Sequence, residues 1–137
     1  MKQKWDKETK KALILYRLSR AEQALGESLL LADEGYYNTA MNRLYYACFY
    51  ASTALLLKND IQTQTHTGVK TMIAHHFISK GIIPQEIGKT LSALFERRQS
   101  GDYDDFAFCD QREVANSRAK AVEYVEFVKA LIQPEME

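Results

Sequence analysis

Arg43, Tyr46 and Tyr50 stand three and four residues apart in the stretch MNRLYYACFYAS, residues 41–52. An α-helix turns about 100° per residue, so Arg43 and Tyr50 fall within about 20° of each other, with Tyr46 about 60° to one side. A guanidinium grips phosphate through a two-pronged fork, and phenol rings stack on bases. Together the three side chains would make a patch for an anion or a nucleotide. A plainer reading also fits. The phenols would lie at the edge of a core, and the arginine would lay its stem along apolar surface with its head in water. The pattern alone leaves both open.

A second group of reactive types lies in LFERRQSGDYDDF, residues 94–106. Arg97 and Arg98 would end a helix, where positive charge complements the helix dipole. Asp102, Asp104 and Asp105 follow, with Tyr103 among them. This is either a self-neutralising turn or a loop that reaches back to the Arg43 helix. In the second case an aspartate would hold Arg43, or the arginines would add to a phosphate site. The acidic spacing lacks the glycine and distal glutamate of a calcium loop. His75 and His76 are adjacent, so on a helix they diverge and do not share a metal. No H-E-x-x-H or E-x-x-H is present, which argues against a zinc or di-iron site. His66, in QTHTG, is a loop histidine or a general base. GVKT is not a phosphate loop, because the upstream glycine is missing. No metal and no cofactor is expected.

The elements that must position these residues are all helical. No segment sustains period-two alternation, so no strand is expected. The first helix is predicted from about Asp6, as N-cap, to about Asp33, with Gly35 just beyond. Leu13, Tyr16, Leu18, Ala21, Leu25, Ser28 and Leu31 supply its inner face. The second runs from about Tyr36 to Lys58. Met41, Leu44, Cys48, Ala51 and Leu55 form its seam. Ala40, Ala47 and Ala54 form a small-residue row that lets a neighbouring helix approach. Thr65 or Thr67 would cap a third helix, from about Gly68 to Ser79. Pro84 opens a fourth in the first turn, where proline is tolerated. Ile87, Leu91, Leu94 and Phe95 are its apolar face. The last spans about Arg112 to Ile132, with Val114, Ala121, Val122, Val125, Val128 and Ile132 inward and Pro134 ending it. Long amphipathic helices with short connections predict a single all-α domain, residues 1–137, folded as an up-and-down bundle of four to five helices.

Composition agrees with that class. A chain of 137 residues with 46% hydrophobic and 26% charged residues suits one globular domain. Eighteen basic residues balance eighteen acidic ones, so net charge does not mark a nucleic-acid-coating or membrane-surface protein. No stretch is long and apolar enough to span a bilayer, and no secretory leader is read at the N-terminus. Cys48 and Cys109 form no metal spacing. A cytoplasmic protein with reduced thiols is expected.

YYNTAMNRLYYACFYASTALL, then THTGV, then LFERRQSGDYDDF and an alanine-rich final helix resemble the HEPN domain family, in its branch of small stand-alone bacterial and archaeal proteins. The resemblance covers roughly Leu13 to Ile132. It implies a bundle of four to five helices that commonly forms a homodimer, with a site at the dimer cleft. Many members of that family are metal-independent ribonucleases with an arginine, four to six residues, then a histidine. Others pair with a minimal nucleotidyltransferase in toxin–antitoxin modules, and some bind nucleotides. Arg43 matches the arginine, and Asn42 precedes it as a polar residue often does. The histidine position is Tyr50. His66 matches the loop histidine; Arg98, Asp102 and Tyr103 match the R-x-x-x-D-Y segment. Ribonuclease chemistry needs a group that exchanges a proton near neutral pH; a histidine titrates near ~6.5 and a tyrosine near ~10. The departure at residue 50 favours a nucleotide- or RNA-binding or partner-docking module over a nuclease. Arg43, Tyr46, Tyr50 and Arg98 would bind phosphate, supported by Asn42, His66, Asp102 and Tyr103. A nuclease alternative would use Arg43 with His66. A purely structural dimer is the third possibility.

Overall fold

The computed structural model describes residues 6–103 and 109–133, with side chains for 6–98 and 109–133. Five α-helices follow one another: α1 Lys7–Asp33, α2 Tyr37–Lys58, α3 His66–Ile73, α4 Gln85–Tyr103 and α5 Gln111–Ile132. Among the described residues there is no strand, and the chain is the all-α bundle expected from its periodicity.

The helix ends follow local chemistry. Asp6 caps α1 by accepting from the Thr9 amide at 2.7 Å. At its other end Tyr36 N–H donates to the Leu31 carbonyl and Gly35 N–H to that of Ala32. This C-terminal motif needs a left-handed residue, which Gly35 supplies with φ +85°. The turn is tight, so α2 folds straight back along α1, and this pair makes the most extensive contact in the molecule. Thr65, one of the two expected caps, accepts from the Gly68 amide at 2.8 Å. The third helix therefore starts at His66, earlier than expected. It continues as a π-helical turn over Ala74–Ile78, closed by the Ser79 amide donating to the Ala74 carbonyl. His75 is exposed there and His76 half-buried.

α2 is the central element: α1, α3, α4 and α5 all pack against it. Its expected seam is buried throughout, and so are Ala40, Ala47 and Ala54. That alanine row lies inside the chain's own core and is closed to a second copy. Ser52 and Tyr124 join α2 to α5 within the core at 2.6 Å. Ser52 already donates to the Cys48 carbonyl, so the Tyr124 hydroxyl donates to Ser52. Burial holds the thiol of Cys48 and the phenol of Tyr124 well above their usual pKa values, and both stay protonated.

Two expectations are corrected. Tyr16 is exposed, and Ile14 and Ala24 take the inward positions on α1. The run LILY is apolar on every side of the helix, so its periodicity did not define one face. Arg97 and Arg98 do not end the fourth helix, which continues to Tyr103. Tertiary contacts hold that turn: Arg97 pairs with Glu113 of α5 at 2.9 Å and donates to Cys109 Sγ at 3.2 Å, while Arg98 packs on α2. Asp102 and Tyr103 lie on the last turn of α4, and their side chains fall outside the described residues, as do Asp104, Asp105 and Pro134.

Candidate functional site

The exposed edge of α2 carries Arg43, Tyr46 and Tyr50 in a row, and neighbouring helices complete it. The Arg43 guanidinium lies over the Tyr46 ring at 4.9 Å from its centroid. The Arg98 guanidinium, delivered by α4, lies 5.8 Å from the same ring and 5.4 Å from that of Tyr45. Two cations thus share one phenol ring. Ring faces attract cations, which lets two like charges be held near each other without a carboxylate between them.

Arg43 is half-buried, with 24% of its side chain exposed. Its Nη1 meets Glu27 Oε1 of α1 at 3.4 Å, and its Nη2 donates to Asn42 Oδ1 at 3.2 Å. The carboxylate that Arg43 meets among the described residues is Glu27; the expected partner Asp102 has its side chain outside them. The contact is long and leaves N–H donors of the fork uncommitted.

Tyr50 is engaged by α1 instead. Arg20 Nη2 donates to its hydroxyl at 3.3 Å, and the Arg20 guanidinium lies 5.2 Å over its ring. Tyr46 and Tyr50 are 5.8 Å apart, so the row of rings is continuous.

His66, at the start of α3, reaches the same cluster. Its ring stacks on Phe49 at 4.2 Å and 14°, and it meets the edge of Tyr46 at 5.9 Å. Its Nδ1 is 2.7 Å from the Tyr45 hydroxyl. Burial raises the Tyr45 phenol to about 12, so it keeps its proton. Keeping its proton, that hydroxyl donates to Nδ1 in the tautomer that has the His66 proton on Nε2. Burial, with the nearby Arg98 charge, also holds the His66 imidazole below its usual pKa. His66 is therefore neutral at pH 7. In the tautomer with its proton on Nε2 it offers an N–H donor near the Arg98 charge.

Arg43, Tyr46, Tyr50, Asn42, Arg98 and His66 are thus brought together; Asp102 and Tyr103 lie on the helix that carries Arg98. Glu27, Arg20, Tyr45 and Phe49 were not anticipated. A phenol on the buried seam at Tyr45 was a signal, because its hydroxyl had to find a partner. Arg20 and Glu27 reach α2 across a helix pair, and no local spacing reveals them. Among the described residues no three or more His, Cys, Asp or Glu side chains are grouped to hold a metal, and no helix is long and apolar enough to cross a membrane.

Comparison with known proteins places the chain. A UPF0332 protein of Thermotoga maritima is 32% identical over 124 residues, covering 90% of this chain and 94% of that one. A UPF0332 protein of Gloeobacter violaceus is 30% identical over 110 residues, covering 80% of this chain and 87% of that one. A Methanocaldococcus jannaschii protein carrying the name "Putative toxin MJ0142" is 34% identical over 87 residues, covering 64% of this chain and 59% of that one. The family described as HEPN domain matches residues 14–132, from the first buried residue of α1 to the last of α5, and the chain belongs to that family.

Proposed function

We propose that this chain is the HEPN component of a toxin–antitoxin-type module, and that its Arg43–Tyr46–Arg98 group binds the phosphate of a nucleotide or of RNA. One observation carries the reading: Arg43 and Arg98 converge on one phenol ring, with a single long contact to Glu27 as the only carboxylate compensation among the described residues. A phosphate between the two guanidinium groups would supply negative charge to both. The His66 Nε2–H and the Tyr46–Tyr50 rings supply a further donor and a stacking surface. The relatives named as toxins support the module class. A homodimer and a minimal nucleotidyltransferase partner complete the proposal, and co-purification with the product of an adjacent nucleotidyltransferase gene tests the partner.

The proposal includes no efficient ribonuclease activity. Tyr50 stands where the ribonuclease pattern has its histidine, and Arg20 occupies its hydroxyl. The second reading, cleavage by Arg43 with His66, draws on His66 lying in the cluster. The Tyr45 bond weakens it, because a Tyr45 hydroxyl that donates to Nδ1 leaves the proton on the other nitrogen. Incubation of RNA with the protein in chelator is the test. Wild type and Arg43→Ala should leave RNA equally intact, and Tyr50→His should raise cleavage. Robust chelator-resistant cleavage by the wild type, lost in Arg43→Ala, would establish the nuclease instead.

A further inference from the structure

A cavity of about 510 Å³ opens between α1, α2 and the segment joining α2 to α3. Leu56, Leu57 and Ile61 give it apolar lining, Thr63 and Gln64 polar lining, and Arg17 enters from α1. Tyr50 lines it as well and stands between it and the Arg43–Arg98 group. Its size falls in the range of small-molecule sites, roughly 300–1,000 Å³.

Arg17 differs from the other arginines of this face. Arg43 has a carboxylate and Arg20 a phenol hydroxyl. Arg17 is half-buried, and its bond among the described residues is one 3.3 Å contact from Nη1 to the Thr53 carbonyl. That uses one of five N–H donors and brings no negative charge. Burial lowers its pKa, and among the described residues no neighbouring anion offsets the effect. A guanidinium drawn out of water beside apolar surface, without a counter-charge, is better accommodated once an anion binds it. The loop opposite is held in place. Thr63 Oγ1 occupies the space a side chain at Gly68 would need, so the segment bearing Ile61 and Thr63 packs directly on the first turn of α3.

We propose that this cavity is a second ligand site, separate from the Arg43–Arg98 group. It takes a small molecule with an oxyanion head and a short apolar body. The head, a carboxylate or a phosphate monoester, binds the Arg17 fork. The body lies against Leu56, Leu57 and Ile61.

Amide chemical-shift titration of the whole chain tests this, with octanoate, octyl phosphate, octanol and acetate as probes. Octanoate or octyl phosphate should shift the amides of Ile61, Thr63 and Val69 and bind about tenfold or more tighter than octanol or acetate. Comparing the two charged probes identifies the preferred head. Arg17→Gln should reduce the charged probe to the level of octanol, and Arg17→Lys should restore part of the difference. Ile61→Ala should weaken octanoate and octanol alike, which tests the apolar half even if Arg17→Gln fails to fold. Equal binding of octanoate and octanol to the wild type would overturn the proposal. So would shifts that avoid the cavity lining, or unchanged octanoate binding in a folded Arg17→Gln variant.

Discussion

At the scale of single residues, His66 makes a pH-dependent contribution whose sign follows from its burial and from the nearby Arg98 charge. The folded state holds His66 below its ordinary pKa, because burial and Arg98 both disfavour the imidazolium. As pH falls through about 6.5 the unfolded chain takes up this proton first, so folding stability drops. The loss is complete once pH passes below the depressed folded value. Above about 6.5 both states are neutral and the contribution is fully present. Urea unfolding at pH 7.5 and 5.5 measures it. The wild type should lose more stability on acidification than His66→Gln, in which the titrating group is gone. Equal losses would mean that His66 is free to protonate in the fold. The residue scale is also where the sequence was least legible. Arg43, Tyr46 and Tyr50 share one side of a helix, and helical geometry alone reveals that. The partners of Arg43 and Tyr50, Glu27 and Arg20, come from α1 and follow only from how the two helices cross.

At the scale of elements, the connection between α2 and α3 decides where His66 sits. A Cβ at position 68 would lie 2.0 Å from Thr63 Oγ1, inside van der Waals contact. Gly68→Ala must therefore turn the Thr63 side chain aside or move the loop from the helix, and should cost about 1–3 kcal/mol, the usual range for overpacking. It should also displace His66 from Phe49; a lower midpoint in urea and a shifted His66 ring resonance are the readouts. The homodimer proposed above would form through the outer face of helix α1. That face exposes Leu15, Tyr16, Leu29 and Leu30, the last to 69%. Two copies laid antiparallel would set Leu15 against Leu30, Tyr16 against Leu29, Ser19 against Gly26 and Lys11 against Glu34. The pairing of Lys11 with Glu34 is complementary in charge, and each contact occurs twice, as a two-fold axis requires. Gly26 has open space around it for the close approach. Sedimentation at micromolar concentration should give twice the 15.8 kDa chain mass. Leu30→Glu, which loses two apolar contacts per dimer, should weaken association by more than about tenfold. A wild type that is strictly monomeric would remove the dimer, and an unaffected Leu30→Glu dimer would move it to another face. Element boundaries were readable where a cap or a left-handed glycine marks them without a rival, as at Asp6 and Gly35; at the third helix two threonines competed for the cap, and the start was placed too late. The fourth helix was not, since contacts of Arg97 and Arg98 with other helices carry it past a polar run that reads locally as a turn.

At the scale of the whole molecule, an all-α bundle wraps one central helix and leaves a single edge of it lined with cations and rings. The fold was legible because the hydrophobic period is helical from end to end and only two prolines interrupt the chain. The cluster was legible in part: Arg43 and Arg98 are far apart in sequence, and only packing of α4 on α2 brings them over the same ring. Net charge is zero, so any affinity for nucleic acid must come from this local arrangement rather than from the molecule's overall field. The direct measurement is fluorescence anisotropy of a short labelled single-stranded RNA, titrated with wild type, Arg43→Gln and Arg98→Gln at several salt concentrations. Each variant should keep its thermal midpoint near that of the wild type and bind about tenfold or more weakly, as expected for one lost charge-assisted contact. The slope of log affinity against log salt should become shallower by about 0.7 for each phosphate contact removed. A wild type that does not bind, or variants that bind with unchanged affinity and salt slope, would contradict a phosphate site between Arg43 and Arg98.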